Sequence, residues 1–291
     1  MAYFPIYIKS DIKEDVIIDD DIVLQPMTDT DKLKAFGSVW EEQADGSWSR
    51  VKNENEDSIA LREIALGGAG FAFVLSRYFN LLYSNYWINT SEVEKIKRLN
   101  FAIKLLKSGC SGFSVGLKIG DTFSEPVILL LEAYWCKLKT TVLNYSDIDN
   151  LKLIYSKIDL NNKTAIDIIE RYNLATSNIA IPLENRFVDL TIILEMLYGP
   201  KDNRNELQFR VSLLIAKLFK NKFNGSTKDY FDEMIKIYGT RSDIVHTGGS
   251  KKLTKERLIN LIDIARESIL LYLKDESTFS KENLESLYLN D

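Results

Sequence analysis

The sequence predicts an α+β protein: a mixed α/β N-terminal domain over residues 1–160, followed by an all-α helical bundle over residues 161–291. Two observations carry this. All four tryptophans (Trp40, Trp48, Trp87 and Trp135) and the strand-like patterns fall in the first half. From about Asn161 onward, apolar residues recur at helical spacing between recognisable starts and stops. The length of 291 residues fits two domains, at roughly 150 residues each, or one large one.

In the first half, Phe113–Ile119 alternates apolar with polar or small residues, and Ile128–Leu138, after Pro126, is rich in aliphatic and aromatic side chains, as in a hairpin or neighbouring strands. Between Ser91 and Ser108 the period becomes helical. Ser91 with Glu94 reads as a capping box, and Val93, Ile96, Leu99, Ala102, Ile103 and Leu106 share one face. The glycines Gly67, Gly68 and Gly70 lack the spacing that cradles a phosphate and read as punctuation in an apolar turn or helix.

The second half predicts five helices. Thr164–Thr176 is the first. Pro182 precedes the second, with Phe187, Leu190, Ile193, Leu194 and Leu197 on one face and Gly199–Pro200 as its stop. The third, Glu206–Phe219, presents Phe209, Leu213, Leu214, Ala216 and Leu218. The fourth starts at a Ser226–Asp229 cap, carries Phe231, Met234, Ile235 and Tyr238, and leads into the only histidine. After the break at Gly248–Gly249, the fifth spans about Thr254–Leu273 with Leu258, Leu261, Ile262, Ala265, Ile269 and Leu273 inward.

Composition removes whole classes of function. With 45% hydrophobic and 27% charged residues, the chain is neither disordered nor fibrous. One histidine, His246, and two cysteines, Cys110 and Cys136, cannot assemble an ordinary zinc site without a carboxylate. We therefore expect no metal and no cofactor. Reduced cysteines and the absence of an apolar leader predict a cytoplasmic chain. The longest weakly polar stretch, Ile64–Ser76, is 13 residues, and a bilayer needs about 20, so no membrane span is expected. The net charge of −5 is unevenly spread: residues 1–31 carry −6, whereas Lys201–Leu273 carries +5. The two parts are suited to different partners, unless both are simply solvated surfaces.

Two motifs bear on chemistry. Gly112–Gly116 matches the GxSxG nucleophile elbow around Ser114, but it sits in an alternating strand pattern with no helix following before Pro126, so the context fails. The second is the run from Tyr238 to Gly248, in which Arg241 and His246 are five residues apart, with Ser242 and Asp243 between them. On a helix, Ser242 lies roughly 40° from His246, so its hydroxyl or the Asp243 carboxylate can orient the ring, while Arg241 is roughly 140° away. For the two to act together, the arginine must reach around, the helix must break near Gly239 or Val245, or a second chain must complete the site. An arginine and a histidine without metal provide proton transfer and stabilisation of an anionic phosphorus centre. That is the chemistry of RNA cleavage by the neighbouring 2′-hydroxyl, for which a symmetric dimer supplies two of each group. The plainer alternative is an arginine paired with a surface carboxylate and a histidine capping a helix end.

The block from about Asn185 to Gly248 resembles the HEPN superfamily, and within it the ApeA-like HEPN domains of prokaryotic defence proteins. The matching residues are Arg186 and Phe187 opening a helix, Leu194–Tyr198 near its end, Arg210–Leu218 in the next, and Tyr238 with Arg241, Ser242, Ile244, Val245 and His246. The signature of the family is an arginine, four to six residues beginning with a polar one, then histidine, and RSDIVH fits it. Thr247, where relatives often place glycine directly after the histidine, departs from it. The resemblance implies a metal-independent endoribonuclease that works as a homodimer. In it Arg241 and His246 are catalytic, Ser242 and Asp243 are polar supports, and Glu195 occupies a charged helix position. It covers the C-terminal part of the chain; the first 160 residues bear only a loose similarity to the regions that accompany such domains, which implies a sensing or substrate-positioning role.

The expected function is therefore a toxin-like or anti-phage (abortive-infection) RNA hydrolase that cuts tRNA or other RNA, held in check or triggered by its N-terminal domain or a protein partner. Lys251 and Lys252 are candidate RNA phosphate contacts. The alternative is a non-catalytic dimeric module that binds RNA, nucleotide or protein.

Overall fold

The computed structural model describes residues 2–31, 38–42, 48–53, 86–90, 92–107, 112–113, 117–118, 142–177, 181–199, 206–220 and 226–289. It divides into two compact units, Met1–Ser156 and Lys157–Asp291, and the protein is of the α+β class.

The first unit is built on an antiparallel sheet of strands β1 (Ala2–Tyr7), β3 (Val16–Asp19), β4 (Ile22–Pro26), β7 (Tyr86–Thr90) and β8 (Gly112–Phe113), in the order β3-β4-β7-β1-β8. Strand β9 (Leu117–Lys118) also pairs with β1. Strand β2 (Lys9–Ser10) pairs in parallel with β10 (Val142–Leu143), and β5 (Ser38–Glu42) pairs with β6 (Trp48–Asn53) as a separate antiparallel ribbon.

Alternation along β3 and β4 buries Val16, Ile18, Ile22 and Leu24 and leaves Ile17 exposed, the period-2 signature of a sheet with one covered face. Leu24 lies opposite Ile88 of β7. Helix α1 (Val93–Leu106) packs against β7; it buries Ile96, Leu99, Ala102 and Ile103 of the predicted face, and also Phe101 and Leu105 on its other side, while Leu106 is half-buried. Its N-cap is Glu92, with no side-chain cap; Ser91, expected to form the capping box, lies outside the described residues. A one-turn 3₁₀ segment (Tyr145–Asp147), capped reciprocally by Asn144 and Asp147, leads into α2 (Ile148–Lys157), which the sequence reading had not identified. The Tyr86 hydroxyl ties the sheet to the preceding loop by donating to the Ser10 and Ile12 carbonyls.

The second unit is helical throughout: α3 (Lys163–Ser177), α4 (Leu183–Tyr198), α5 (Leu207–Phe219), α6 (Thr227–Thr247), α7 (Lys255–Lys274), a 3₁₀ turn (Glu276–Phe279) and α8 (Lys281–Leu289). Helix α8 extends the predicted set and packs on α5. Helix α4 is the hub, touching α3, α5, α6 and α7. It buries Phe187, Leu190, Thr191, Ile193, Leu194, Leu197 and Tyr198, an arc much wider than the single apolar stripe of a surface helix. Its N-terminal end holds a buried arginine whose Nε and NH2 donate to the carbonyls of Ala175 and Thr176, so Arg186 satisfies the C-terminal end of α3. The Tyr198 hydroxyl donates to Ser268 Oγ, joining α4 to α7 inside the core.

Of the residues expected to face inward on α5, Leu214 and Ala216 are buried, Leu213 and Leu218 are half-buried and Phe209 is not buried. Val211, Ser212, Leu214, Ile215, Ala216 and Phe219 are buried, whereas Phe209 is 45% exposed and meets Phe231 of α6 edge-on at 5.3 Å. Because α4, α6 and α8 all contact α5, its orientation is set by several neighbours and not by its strongest apolar stripe. Among the described residues, no helix is long and apolar enough to cross a membrane. The readings placed on Gly67, Gly68, Gly70, Cys110, Ser114, Ile128–Leu138 and Cys136 lie outside the described residues.

Candidate functional site

The site is built on α6. Its start is fixed by the predicted box: Ser226 Oγ accepts from the Asp229 amide at 3.2 Å, while the Asp229 carboxylate accepts from the Ser226 amide at 2.9 Å. Its end is fixed by Gly248, whose φ of +79° is the left-handed conformation of a helix stop, and whose amide donates to Ile244 O at 2.8 Å. Between these points the helix runs unbroken for 21 residues, straight through Gly239 and Val245. The helix break considered as one way to bring Arg241 and His246 together does not occur.

An unbroken helix sends the two side chains to different places. Met234, Ile237, Tyr238 and Ile244 form the buried stripe, and Arg241, three residues from both Tyr238 and Ile244, lies on it. His246 is two residues past Ile244, about 200° around the axis, and is exposed. Arg241 turns to α4, where its NH2 lies 3.3 Å and 3.5 Å from the two carboxylate oxygens of Glu195. Both partners are mostly shielded, with side-chain exposures of 29% and 18%. Glu195 thus meets Arg241, an encounter that only the packing of α4 on α6 creates.

The Tyr238 phenol lies in the same shielded pocket of charge. Burial, reinforced by the Glu195 carboxylate and opposed by the Arg241 guanidinium, pushes its pKa far above the ordinary value of 10, so it remains a neutral hydroxyl. Two buried donor atoms here, Tyr238 Oη and Arg241 Nε, carry no hydrogen bond. They leave unused donor capacity inside the shielded pocket beside Glu195 and Arg241.

The polar supports divide. Asp243 does not serve the histidine ring: its carboxylate accepts from Ser250 Oγ at 3.0 Å and pairs with Lys252 Nζ at 3.1 Å. The Lys252 ammonium and the Ser250 hydroxyl hold it below the usual carboxylate range. Its role is to anchor the loop that follows α6. Lys252, expected to be free for phosphate, is therefore already paired, while Lys251 is exposed and makes no ion pair among the described residues. Ser242 is exposed, in line with Val245 and His246 on the solvent side of α6.

Sequence reasoning missed the braces of this loop. Arg257 of α7 donates from NH1 to the Lys252 carbonyl at 2.6 Å and from Nε to Glu233 Oε1 at 3.3 Å, and the Lys252 amide donates to Ser250 Oγ at 3.1 Å. The only local signal was the turn-forming run Gly248–Gly249–Ser250 ahead of the Thr254 cap, whose hydroxyl accepts from the Arg257 amide.

Among the described residues, no group of three or more His, Cys, Asp or Glu side chains is placed to hold a metal ion. No family model, curated protein or solved structure matches the chain.

Proposed function

We propose that the chain is a metal-independent endoribonuclease of the HEPN type, acting in the cytoplasm as a homodimer on tRNA or other RNA, in a toxin-like or anti-phage role. The observation that carries this reading is the division of labour on α6: a half-shielded, carboxylate-held Arg241 and an exposed His246, about 140° apart on one continuous helix. One helix cannot aim both at the same phosphate, and a two-fold pair of helices can.

In the proposed reaction the 2′-oxygen of a ribose attacks its own 3′-phosphorus. The 5′-oxygen of the next nucleotide leaves, giving a 2′,3′-cyclic phosphate and a free 5′-hydroxyl. One His246 takes the 2′-hydroxyl proton while the His246 of the second copy protonates the departing oxygen, so the two imidazoles exchange roles and no water is consumed. Arg241 neutralises the charge that grows on the non-bridging oxygens, with Glu195 fixing its direction. Lys251, at the end of the helix that bears His246, offers the flanking backbone a cation, and the +5 balance of Lys201–Leu273 favours a polyanion over that region. The N-terminal unit, or a protein that binds it, restrains or triggers the nuclease.

The test is incubation of the purified chain with total tRNA in EDTA, followed by end-group analysis. Wild type is expected to leave 2′,3′-cyclic phosphate ends, and both Arg241→Ala and His246→Ala are expected to leave the RNA intact while retaining wild-type helicity. Cleavage by both variants rejects the reading. Binding without cleavage by wild type favours a non-catalytic RNA-binding module instead.

A further inference from the structure

A second feature lies wholly within the N-terminal unit and is independent of the nuclease reading. Between the end of β3, the middle of α1 and the length of α2 is an open cavity of about 450 Å³, lined by Ile18, Asp19, Arg98, Lys152, Leu153 and Tyr155 among others. Its size falls within the range of small-molecule sites, roughly 300–1,000 Å³.

The charges in this cavity are unevenly satisfied. Asp19 is served twice: the Tyr155 hydroxyl donates to its carboxylate at 3.3 Å, and Lys95 Nζ lies 3.7 Å away. Burial, followed by the nearby Asp19 charge, pushes the Tyr155 phenol above its ordinary pKa, so it stays a donor. The two cations have no such partners. Arg98 lies over the Tyr155 ring at 4.5 Å and donates from NH2 to the Ser156 carbonyl at 3.3 Å, which fixes the guanidinium without neutralising it. Its Nε is buried and carries no hydrogen bond. Lys152 makes no ion pair among the described residues. A preset guanidinium with a spare donor, a second uncompensated ammonium and an exposed Leu153 at the wall are the parts of a site for an anion with an apolar body.

We propose that this cavity binds a phosphate monoester of a small organic molecule, its phosphate between Arg98 and Lys152 and its body along Leu153 and Ile18. Arg98 and Lys152 are left to meet the phosphate oxygens, while the Asp19 carboxylate is turned to the Tyr155 hydroxyl and to Lys95, which it shares with Asp21 and Glu92. Nucleoside and sugar monophosphates share the required chemistry, and the length of the body separates them. Such a ligand gives the N-terminal unit a small-molecule input.

The experiment is calorimetric titration of the full chain with adenosine 5′-monophosphate, ribose 5-phosphate and inorganic phosphate at low salt. At least one monoester is expected to bind saturably and more tightly than inorganic phosphate. Lys152→Glu is expected to weaken that binding by about tenfold or more, as loss of a direct charged contact does, whereas Lys274→Glu, the same charge change on α7, leaves it within about twofold. Tighter binding of adenosine 5′-monophosphate assigns the body to a nucleoside, and tighter binding of ribose 5-phosphate assigns it to a sugar. Three results overturn the proposal: no saturable binding of either monoester, equal affinity for inorganic phosphate, or equal weakening by the two substitutions. Far-UV circular dichroism of Lys152→Glu confirms that the comparison is made on folded protein, and Arg98→Gln provides a second variant with the same expected loss.

Discussion

Two glycines flank the site, and the same substitution in each is expected to act in opposite directions. Gly199 closes α4 with φ −72° and ψ 142°, a conformation any residue adopts, so its requirement for glycine is steric. A Cβ there would stand 2.4 Å from the backbone oxygen of Glu195 and 3.3 Å from Leu207 Cδ1. Relief demands a shift of about 1 Å against a backbone atom that also accepts the Gly199 amide, so overpacking costs about 2 kcal/mol and the weakened cap about 1 kcal/mol more. Gly239, inside α6, has nothing within 4 Å of its added Cβ. Alanine there removes the conformational freedom of a helical glycine and stabilises by about 0.5–1 kcal/mol.

Urea unfolding followed by far-UV circular dichroism reads mainly the helical unit. Tryptophan fluorescence reads the first unit, because all four tryptophans lie in Met1–Ser156. With a slope of about 2 kcal/mol per molar urea, Gly199→Ala moves the dichroism midpoint down by about 1.5 M, and Gly239→Ala moves it up by a few tenths. A neutral Gly199→Ala, or a Gly239→Ala that destabilises by about 1 kcal/mol, refutes the steric account.

Other consequences are as specific. Arg186→Met keeps the bulk but strands the carbonyls of Ala175 and Thr176, and it is expected to lower stability by about 2–4 kcal/mol in the same urea assay; a loss under about 1 kcal/mol would show that water replaces the guanidinium. The Asp243 carboxyl is held below its ordinary range, so its contribution is complete above the unfolded value near pH 4 and is lost as pH falls through the folded value. Hydrogen exchange of the loop amides 248–253, corrected for intrinsic rate, is therefore expected to accelerate on acidification below about pH 4 in wild type, and Asp243→Asn is expected to be fast at every pH; equal protection in the two chains would contradict the anchoring role.

The helix boundaries of the second unit were legible because single residues mark them. Pro182, the Ser226–Asp229 box, Gly248 and Thr254 each act through a local conformation or hydrogen bond that needs no distant partner. The inward side of α5 was legible only in part, because Val211, Ser212 and Ile215 are buried by neighbours far along the chain while the larger Phe209 stays at the edge. Helix α2 carried its signal in Ile148, Leu151 and Tyr155 at helical spacing, on a segment too short to stand out. The pairing of β2 with β10 joins residues more than a hundred positions apart and leaves no local trace.

For the site, spacing alone showed that Arg241 and His246 diverge on a helix. Resemblance brought Glu195 in, and only the packing of α4 on α6 reveals what that carboxylate holds. Asp243 shows the limit of spacing arguments. Its separation from His246 permits an interaction, but Ser250 and Lys252, brought back by the turn after Gly248, compete for the carboxylate and win.

The central claim is that two copies of the chain assemble the nuclease, each lending what the other cannot aim, and mixing inactive chains tests it most directly. Arg241→Ala and His246→Ala, unfolded together, refolded at equal concentration and assayed on tRNA in EDTA, form heterodimers in about half of all dimers, and each heterodimer has one site with both an intact Arg241 and an intact His246. Each such heterodimer keeps one of the two imidazoles, with water standing in for the other, so activity is expected to rise above either variant alone and to stay below about one quarter of wild type. A mixture no more active than its inactive components, from chains that are dimeric by sedimentation, would contradict a site shared between copies.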